Sequence, residues 1–281
     1  MELLTPSSIR ASIDRFGIRP KKSLGQNFLA DPNTARRIAR VAAVEPGDAV
    51  LEIGPGLGSL TVALVERGAR VRAVEIDERL AAALVELLGA DTDVDVRVAD
   101  ALVVPLGPLL ADAPGPGWSC VSNLPYNVAV PVVVRLLEEA PEVDRIVVLV
   151  QREVGERLAA GPGDEQYGAV SVKVAYYGEA SLLGVVAPTV FVPRPKVDSV
   201  VVGIVRRAAP PVDVPAVDAL FELVRSGFAQ RRKMLRRSLQ PVLGPRTITV
   251  LDAAGVPPTS RAETLGLEEW AAVARCAAVA A

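Results

Sequence analysis

The chain has 281 residues, half of them hydrophobic and 23% charged, with no histidine, two cysteines and a formal net charge of −2. That composition excludes a disordered polymer, a disulfide-stapled secreted domain and a cysteine-built zinc site, and the length allows a buried core and two domains. The amino end has no signal-like stretch and no apolar run approaches the ~18 residues of a membrane helix, so a cytoplasmic chain with no membrane and no metal is expected.

Residues 10–40 carry eight Lys/Arg and two Asp/Glu, a local charge of +6. Within them Lys21-Lys22-Ser-Leu-Gly25-Gln26-Asn27-Phe28-Leu29 reads as a basic loop. Asp31-Pro32 predicts a helix start, Asp as cap and Pro at the first position, and the helix runs to about Val44. Predicted strands and helices then alternate: strand Ala49–Ile53, helix Ser59–Arg67, strand Arg70–Ile76, helix Glu78–Leu88 and strand Asp95–Ala99. Strand Ser119–Val121, helix Val128–Glu139, strand Arg145–Val150 and helix Glu153–Ala160 continue the series. The pattern predicts an α/β fold with a doubly wound, mostly parallel sheet. Residues 185–204, rich in valine and interrupted by Pro193 and Pro195, supply the last strands, antiparallel to the rest. A proline-rich linker at 208–215 precedes helical patterns at 216–229, 231–240, 246–254 and 267–279. The expected domains are therefore 1–207 and a smaller all-helical 208–281.

Leu51-Glu-Ile-Gly54-Pro-Gly56-Leu-Gly58 follows a strand and opens a helix, where glycines permit a tight turn and close approach of the backbone to a ligand. Glu75 falls 21 residues after Gly54, where an acid takes hydrogen bonds from ribose hydroxyls. Asp100 ends the following strand, within reach of an adenine amino group. By itself the turn fits NAD, FAD or S-adenosylmethionine, and Asp77 and Asp100 equally suit helix caps.

Asn123-Leu124-Pro125-Tyr126 narrows the choice. In isolation the tetrapeptide is an ordinary turn. Here it follows a short apolar strand and precedes a helix, so it sits at the carboxyl end of a strand, where open α/β sheets bind ligands. An amino nitrogen on a nucleobase is a poor nucleophile because its lone pair is delocalised into the ring. The Asn123 side-chain oxygen and the Leu124 carbonyl can accept its two hydrogens and turn the lone pair towards a methyl donor. Pro125 restrains the backbone that aims the Leu124 carbonyl, and Tyr126 offers a flat face for an unstacked base. Glycine turn and tetrapeptide together point to methyl transfer onto a nucleobase amino group.

Residues 225–237 carry six Lys/Arg and no acid, a second local +6. Either basic segment alone reads as a solvated helix face as readily as a phosphate grip. Two of them in a chain of net charge −2 favour RNA.

At this point the chain resembles a known family, the ribosomal RNA adenine dimethyltransferases. The resemblance rests on Gly25-Gln-Asn-Phe-Leu29, Leu51-Glu-Ile-Gly-Pro-Gly-Leu-Gly-Ser-Leu-Thr61, Val74-Glu-Ile-Asp77 and Asn123-Leu-Pro-Tyr-Asn127, in that order. Val150-Gln-Arg-Glu-Val154, Tyr167-Gly168, Phe191-Val-Pro-Arg-Pro-Lys-Val-Asp-Ser199 and Phe228-Ala-Gln-Arg-Arg-Lys233 extend it over about residues 16–270. It implies a Rossmann-like S-adenosylmethionine-dependent methyltransferase domain that leaves S-adenosylhomocysteine as product. Gln26, Asn27, Leu29, Gly54, Gly56, Glu75, Asp100 and Asn123 would contact the cofactor. Asn123, Leu124 and Tyr126 would act on the base, with Phe191 as a second aromatic wall. Lys21, Lys22, Arg231, Arg232, Lys233 and Arg236 would approach rRNA. The small-subunit type of the family, acting as a monomer on two adjacent adenosines near the 3′ end of 16S rRNA, is the expected function. A resistance-type 23S rRNA methyltransferase and an assembly factor that mainly binds the subunit are the alternatives. Arg237 stands where the family often has Asn, which adds charge without touching the chemistry.

Overall fold

A computed structural model describes residues 4–20, 25–90, 92–111 and 117–279. The chain forms two compact units, one of Met1–Gly155 with Ala180–Arg206, the other of Glu156–Glu179 with Arg207–Ala281. The second unit thus takes in residues 156–179, which the linker-based division assigns to the first domain.

The strands are β1 (Phe28–Leu29), β2 (Ala49–Ile53), β3 (Arg70–Glu75), β4 (Val94–Val98), β5 (Trp118–Asn123), β6 (Val143–Gln151), β7 (Gly178–Val186), β8 (Phe191–Val192) and β9 (Ser199–Arg206). Seven of them form one sheet in the order β4-β3-β2-β5-β6-β9-β7, and β1 pairs with β8 in a separate antiparallel ribbon. Strands β2 to β6 are parallel to their neighbours, while β9 runs antiparallel to β6. Every residue of β2 is buried, as a strand covered on both faces requires.

The order of strands reverses between β2 and β5, and there the pairing stops early. The ladder runs from Ala49↔Trp118 to Leu51↔Cys120. Beyond it the Ile53 N–H donates to the buried Ser122 hydroxyl at 2.8 Å instead of to backbone. The carboxyl ends of the two strands part at this point, which is where a doubly wound sheet opens a ligand crevice.

Several elements differ from their predicted limits. The helix after Asp31, whose carboxylate accepts the Thr34 N–H at 2.8 Å, ends at Val41 because Ala43 turns left-handed at φ 52°. Helices Pro6–Arg15 and Ala169–Tyr177 were not foreseen from the pattern. The first is largely polar, and the second, Ala-Val-Ser-Val-Lys-Val-Ala-Tyr-Tyr, is rich in the β-favouring residues Val and Tyr. Its last turn is followed directly by β7, so packing rather than propensity sets the helix there.

The core of the first unit gathers Leu51, Leu60, Leu64, Leu84, Val121, Val147 and Val201 about the sheet. In the second unit Trp270, fully buried, packs with Tyr167, Leu220, Phe221, Leu235 and Leu251. Gly227 in helix Val217–Ala229 makes room for it: a Cβ there would lie 2.5 Å from the Trp270 ring.

Candidate active site

A cleft of about 290 Å³ lies at the carboxyl ends of β2, β3, β4 and β5, entirely within the first unit. Gln26, Asn27, Leu29, Gly54, Gly56, Glu75, Asp100, Asn123, Leu124 and Tyr126 all line it. The structure therefore brings together residues drawn from five separate stretches of the sequence.

The glycine turn is left-handed at Gly54, φ 69°, and at Gly56, φ 58°. A Cβ on Gly54 would approach the Pro125 ring to 3.2 Å, and one on Gly56 would meet the Phe28 ring at 2.9 Å. The turn is thus wedged between the Asn-Leu-Pro-Tyr element and β1, and a side chain at Gly56 would clash. Ser59, the first residue of helix Ser59–Glu66, donates its hydroxyl to the Leu29 carbonyl and ties that strand down.

Glu75 is 4% exposed at the end of β3. Its two carboxylate oxygens accept the N–H of Gly56 at 3.1 Å and of Asp77 at 3.0 Å. Burial raises its pKa, and those two backbone donors oppose the rise. The acid of the ribose position is therefore fixed to the glycine turn itself. Asp100 accepts the Leu102 N–H at 2.8 Å and so closes the turn after β4. Asp77 caps helix Glu78–Leu88 by accepting the Arg79 N–H at 3.0 Å.

Glu52 was not singled out from the sequence, although it lies inside the Leu-Glu-Ile-Gly run. It lines the cleft at 1% exposure, with the Thr61 hydroxyl donating to it at 2.6 Å. Burial pushes its carboxyl up to about 8; the Thr61 bond opposes this and nearby Glu75 adds to it. The signal was present: an acid in the middle of a strand otherwise apolar throughout is rarely placed there without a partner or a ligand.

Asn123 closes β5. Its side-chain nitrogen donates to the Asn27 carbonyl at 3.1 Å, and the Asn27 side chain in turn donates to the Gly25 carbonyl at 3.1 Å. A carbonyl can only accept, so this bond fixes which way the Asn123 amide is turned. Its oxygen, and the Leu124 carbonyl beside it, take no partner among the described residues. Tyr126 is half-buried, with its hydroxyl 2.8 Å from that of Ser199.

None of the other expected site residues that the structure describes lines the cleft. Phe191 does not line the cleft; it is 3% exposed and pairs with Leu29 in the β1–β8 ribbon, within the hydrophobic core. Lys21 and Lys22 lie outside the described residues. In the second unit, Arg231 is engaged internally, donating to Glu263 at 2.9 Å and to the Glu165 carbonyl at 2.5 Å. Arg232, Lys233 and Arg236 are exposed and form no ion pair among the described residues. Lys233 and Arg237, with Gln230 and Gln240, border an open hollow of the same unit.

Comparison with known proteins places this geometry. Residues 17–278 match the family described as ribosomal RNA adenine dimethylase. The chain is 48% identical to the ribosomal RNA small subunit methyltransferase A of Leifsonia xyli subsp. xyli, over 98% of each chain. The crystal structure of the 23S rRNA methyltransferase ErmE aligns with 89% of this chain and 99% of its own at 30% identity, TM-score 0.66. A dimethyladenosine transferase from Plasmodium falciparum shares the fold over 88% of this chain and 95% of its own, at 24% identity and TM-score 0.71.

Proposed function

Because the chain belongs to the ribosomal RNA adenine dimethylase family, we propose that it uses S-adenosylmethionine to dimethylate the N6 amino groups of two adjacent adenosines near the 3′ end of 16S rRNA in the small ribosomal subunit. The observation that carries this reading is the Asn123 amide, fixed by the Asn27 carbonyl with its oxygen unpartnered among the described residues, in a cleft that also contains Glu75 and the glycine turn.

The residues present suit the cofactor. Glu75 and Asp100 offer carboxylates to ribose and adenine, and Gly54 and Gly56 line the same cleft. Glu52, a buried acid with no cation beside it among the described residues, suits a positively charged group. Asn27 and Leu29 close the side of the cleft, with Gln26 next to them. Bound there, S-adenosylmethionine supplies an electrophilic methyl group.

The chain's own part is to present the base. An adenine taken out of its stack rests on Tyr126, which recovers roughly 1–3 kcal/mol of the unstacking cost. The Asn123 side-chain oxygen and the Leu124 carbonyl accept the two amino hydrogens and aim the nitrogen lone pair into the cofactor cleft. The attack itself needs no general base, which agrees with a chain that has no histidine. Arg232, Lys233 and Arg236 contact phosphates of the rRNA. The same reading puts the protein in the cytoplasm as a monomer that engages the small subunit.

Methyl transfer from radiolabelled S-adenosylmethionine to purified small and large subunits lacking the modification tests this. Label recovered as dimethyladenosine in small-subunit rRNA is expected. Label confined to the large subunit would move the assignment to the resistance type, the direction in which the likeness to ErmE points. Tight small-subunit binding without label would leave an assembly factor.

A further inference from the structure

We propose that Ser199 is a positioning residue for the methyl-transfer reaction, holding the Tyr126 ring in the plane on which the target base is received; the proposal rests on the function given above. Tyr126 comes from the turn after β5, and Ser199 is the first residue of β9, two strands away in the sheet. Their hydroxyls lie 2.8 Å apart. Ser199 is fully buried, and its backbone is fixed by pairing with Gln151 at the end of β6.

The topology explains why this residue can reach. Strands β2 to β6 run parallel, so their carboxyl ends form the rim that carries the cleft. Only a strand running the other way brings its first residue to that rim, and β9 is antiparallel to β6. The residue after Gln151 adds to the hold on its start, since the Arg152 N–H donates to the Asp198 carbonyl at 3.0 Å. Tyr126 by contrast stands on a turn, and without a partner at its hydroxyl nothing on that turn would stop its ring from swinging about the bond that joins it to the backbone. A hydrogen bond at the far end of the ring removes the swing. The bond lies in a half-buried setting, where burial raises the Tyr126 pKa and the Ser199 bond opposes the rise. Stacking depends on the tilt of the ring face, so loosening the ring reduces transfer without touching the cofactor residues.

The test compares Ser199→Ala, Ser199→Thr and Tyr126→Phe with the wild-type protein, alone and, for Ser199→Ala with Tyr126→Phe, combined. Ser199→Ala and Tyr126→Phe are each expected to lower kcat/KM for the small subunit by roughly five- to tenfold, with the KM for S-adenosylmethionine unchanged. The double variant is expected to lose no more than either single one, because both remove the same bond. Ser199→Thr, which keeps the hydroxyl, restores most of the loss. Losses that multiply in the double variant, or wild-type turnover in Ser199→Ala, would overturn the proposal. A second readout needs no activity. In protein labelled with ¹³C at tyrosine Cζ, the resonance absent from Tyr126→Phe belongs to Tyr126, and it should move in Ser199→Ala; an unmoved resonance overturns the proposal. If the wild-type protein methylates neither subunit, the function fails while the resonance still decides the placement of Tyr126. Should Ser199→Ala fail to fold, Tyr126→Phe breaks the bond from the other side and carries both readouts of turnover.

Discussion

In the proposed mechanism Asn123 is the residue on which the chemistry turns. Replacing it with Ala removes the acceptor for the amino hydrogen and the bond to the Asn27 carbonyl, while Glu75, Asp100 and the glycine turn stay in place. Methyl transfer should fall by at least two orders of magnitude, roughly the cost of losing one preorganised polar contact at a reacting centre, with cofactor binding by calorimetry little changed. Turnover near the wild-type rate would remove Asn123 from the mechanism. Glu52 gives a pH test in protein freed of cofactor. With its folded pKa at about 8 against an ordinary 4.5, the native state keeps a proton that the unfolded chain gives up. Stability contributed by this group is therefore whole below about 4.5 and is lost as pH rises towards 8. Glu52→Gln retains the shape without the titration, so its thermal midpoint should fall less than that of the wild type between pH 5 and 8, roughly the window named by the shift. Parallel curves would show that Glu52 does not titrate there. Asn123 was legible because the spacing of its neighbours marks a strand end. Glu52 carried a local signal, an acid within an apolar strand, whereas Ser199 did not, because a serine at a strand start acquires meaning only from what lies across the sheet.

At the scale of elements, small residues record close packing. Gly155 sits in helix Arg152–Ala159, and a Cβ there would lie 2.2 Å from a methyl of Val200 and 2.9 Å from one of Val202, both on β9. Alanine is the better helix former by about 1 kcal/mol. Overpacking against two branched side chains costs about 1–3 kcal/mol, so the clash wins and Gly155→Ala should be destabilising. Gly107, in helix Leu106–Leu110, has nothing within 4 Å of its would-be Cβ. There the propensity term stands alone, and Gly107→Ala should stabilise by roughly 0.5–1 kcal/mol. Denaturant midpoints of the two variants should move in opposite directions; movement in the same direction would refute this account of the packing. The alternation of strands and helices was readable because each strand is an apolar run bounded by turns. Helix Ala169–Tyr177 was not, since its β-branched and aromatic residues suit a strand equally well until they are packed.

For the molecule as a whole, charge is what the two basic segments add to the fold. Of the six cations in the second segment, Arg231 is used internally and Arg225, Arg232, Lys233, Arg236 and Arg237 are left exposed, with no ion pair among the described residues. Replacing Arg232, Lys233 and Arg236 together with Ala should weaken small-subunit binding and reduce its logarithmic salt slope by roughly two to three, the share of three phosphate contacts. Arg231→Ala should leave that slope nearly unchanged. Its ion pair with Glu263 is partly exposed, worth no more than about 1 kcal/mol, and its loss should appear as a small fall in thermal stability. A slope altered equally by Arg231→Ala would mean that the internal bonds open when RNA binds.

The sequence by itself determined the class of fold, the strand that carries each motif and the chemistry that Asn-Leu-Pro-Tyr and the glycine turn share. These depend on local spacing, and periodicity, turn residues and motif order are local properties. Only the tertiary structure decided that β9, expected to be antiparallel, delivers Ser199 to Tyr126, that Phe191 is buried in pairing with Leu29, and that Arg231 is held by Glu263. Each of those contacts joins residues more than thirty positions apart, where strand order and packing, rather than neighbouring residues, choose the partner.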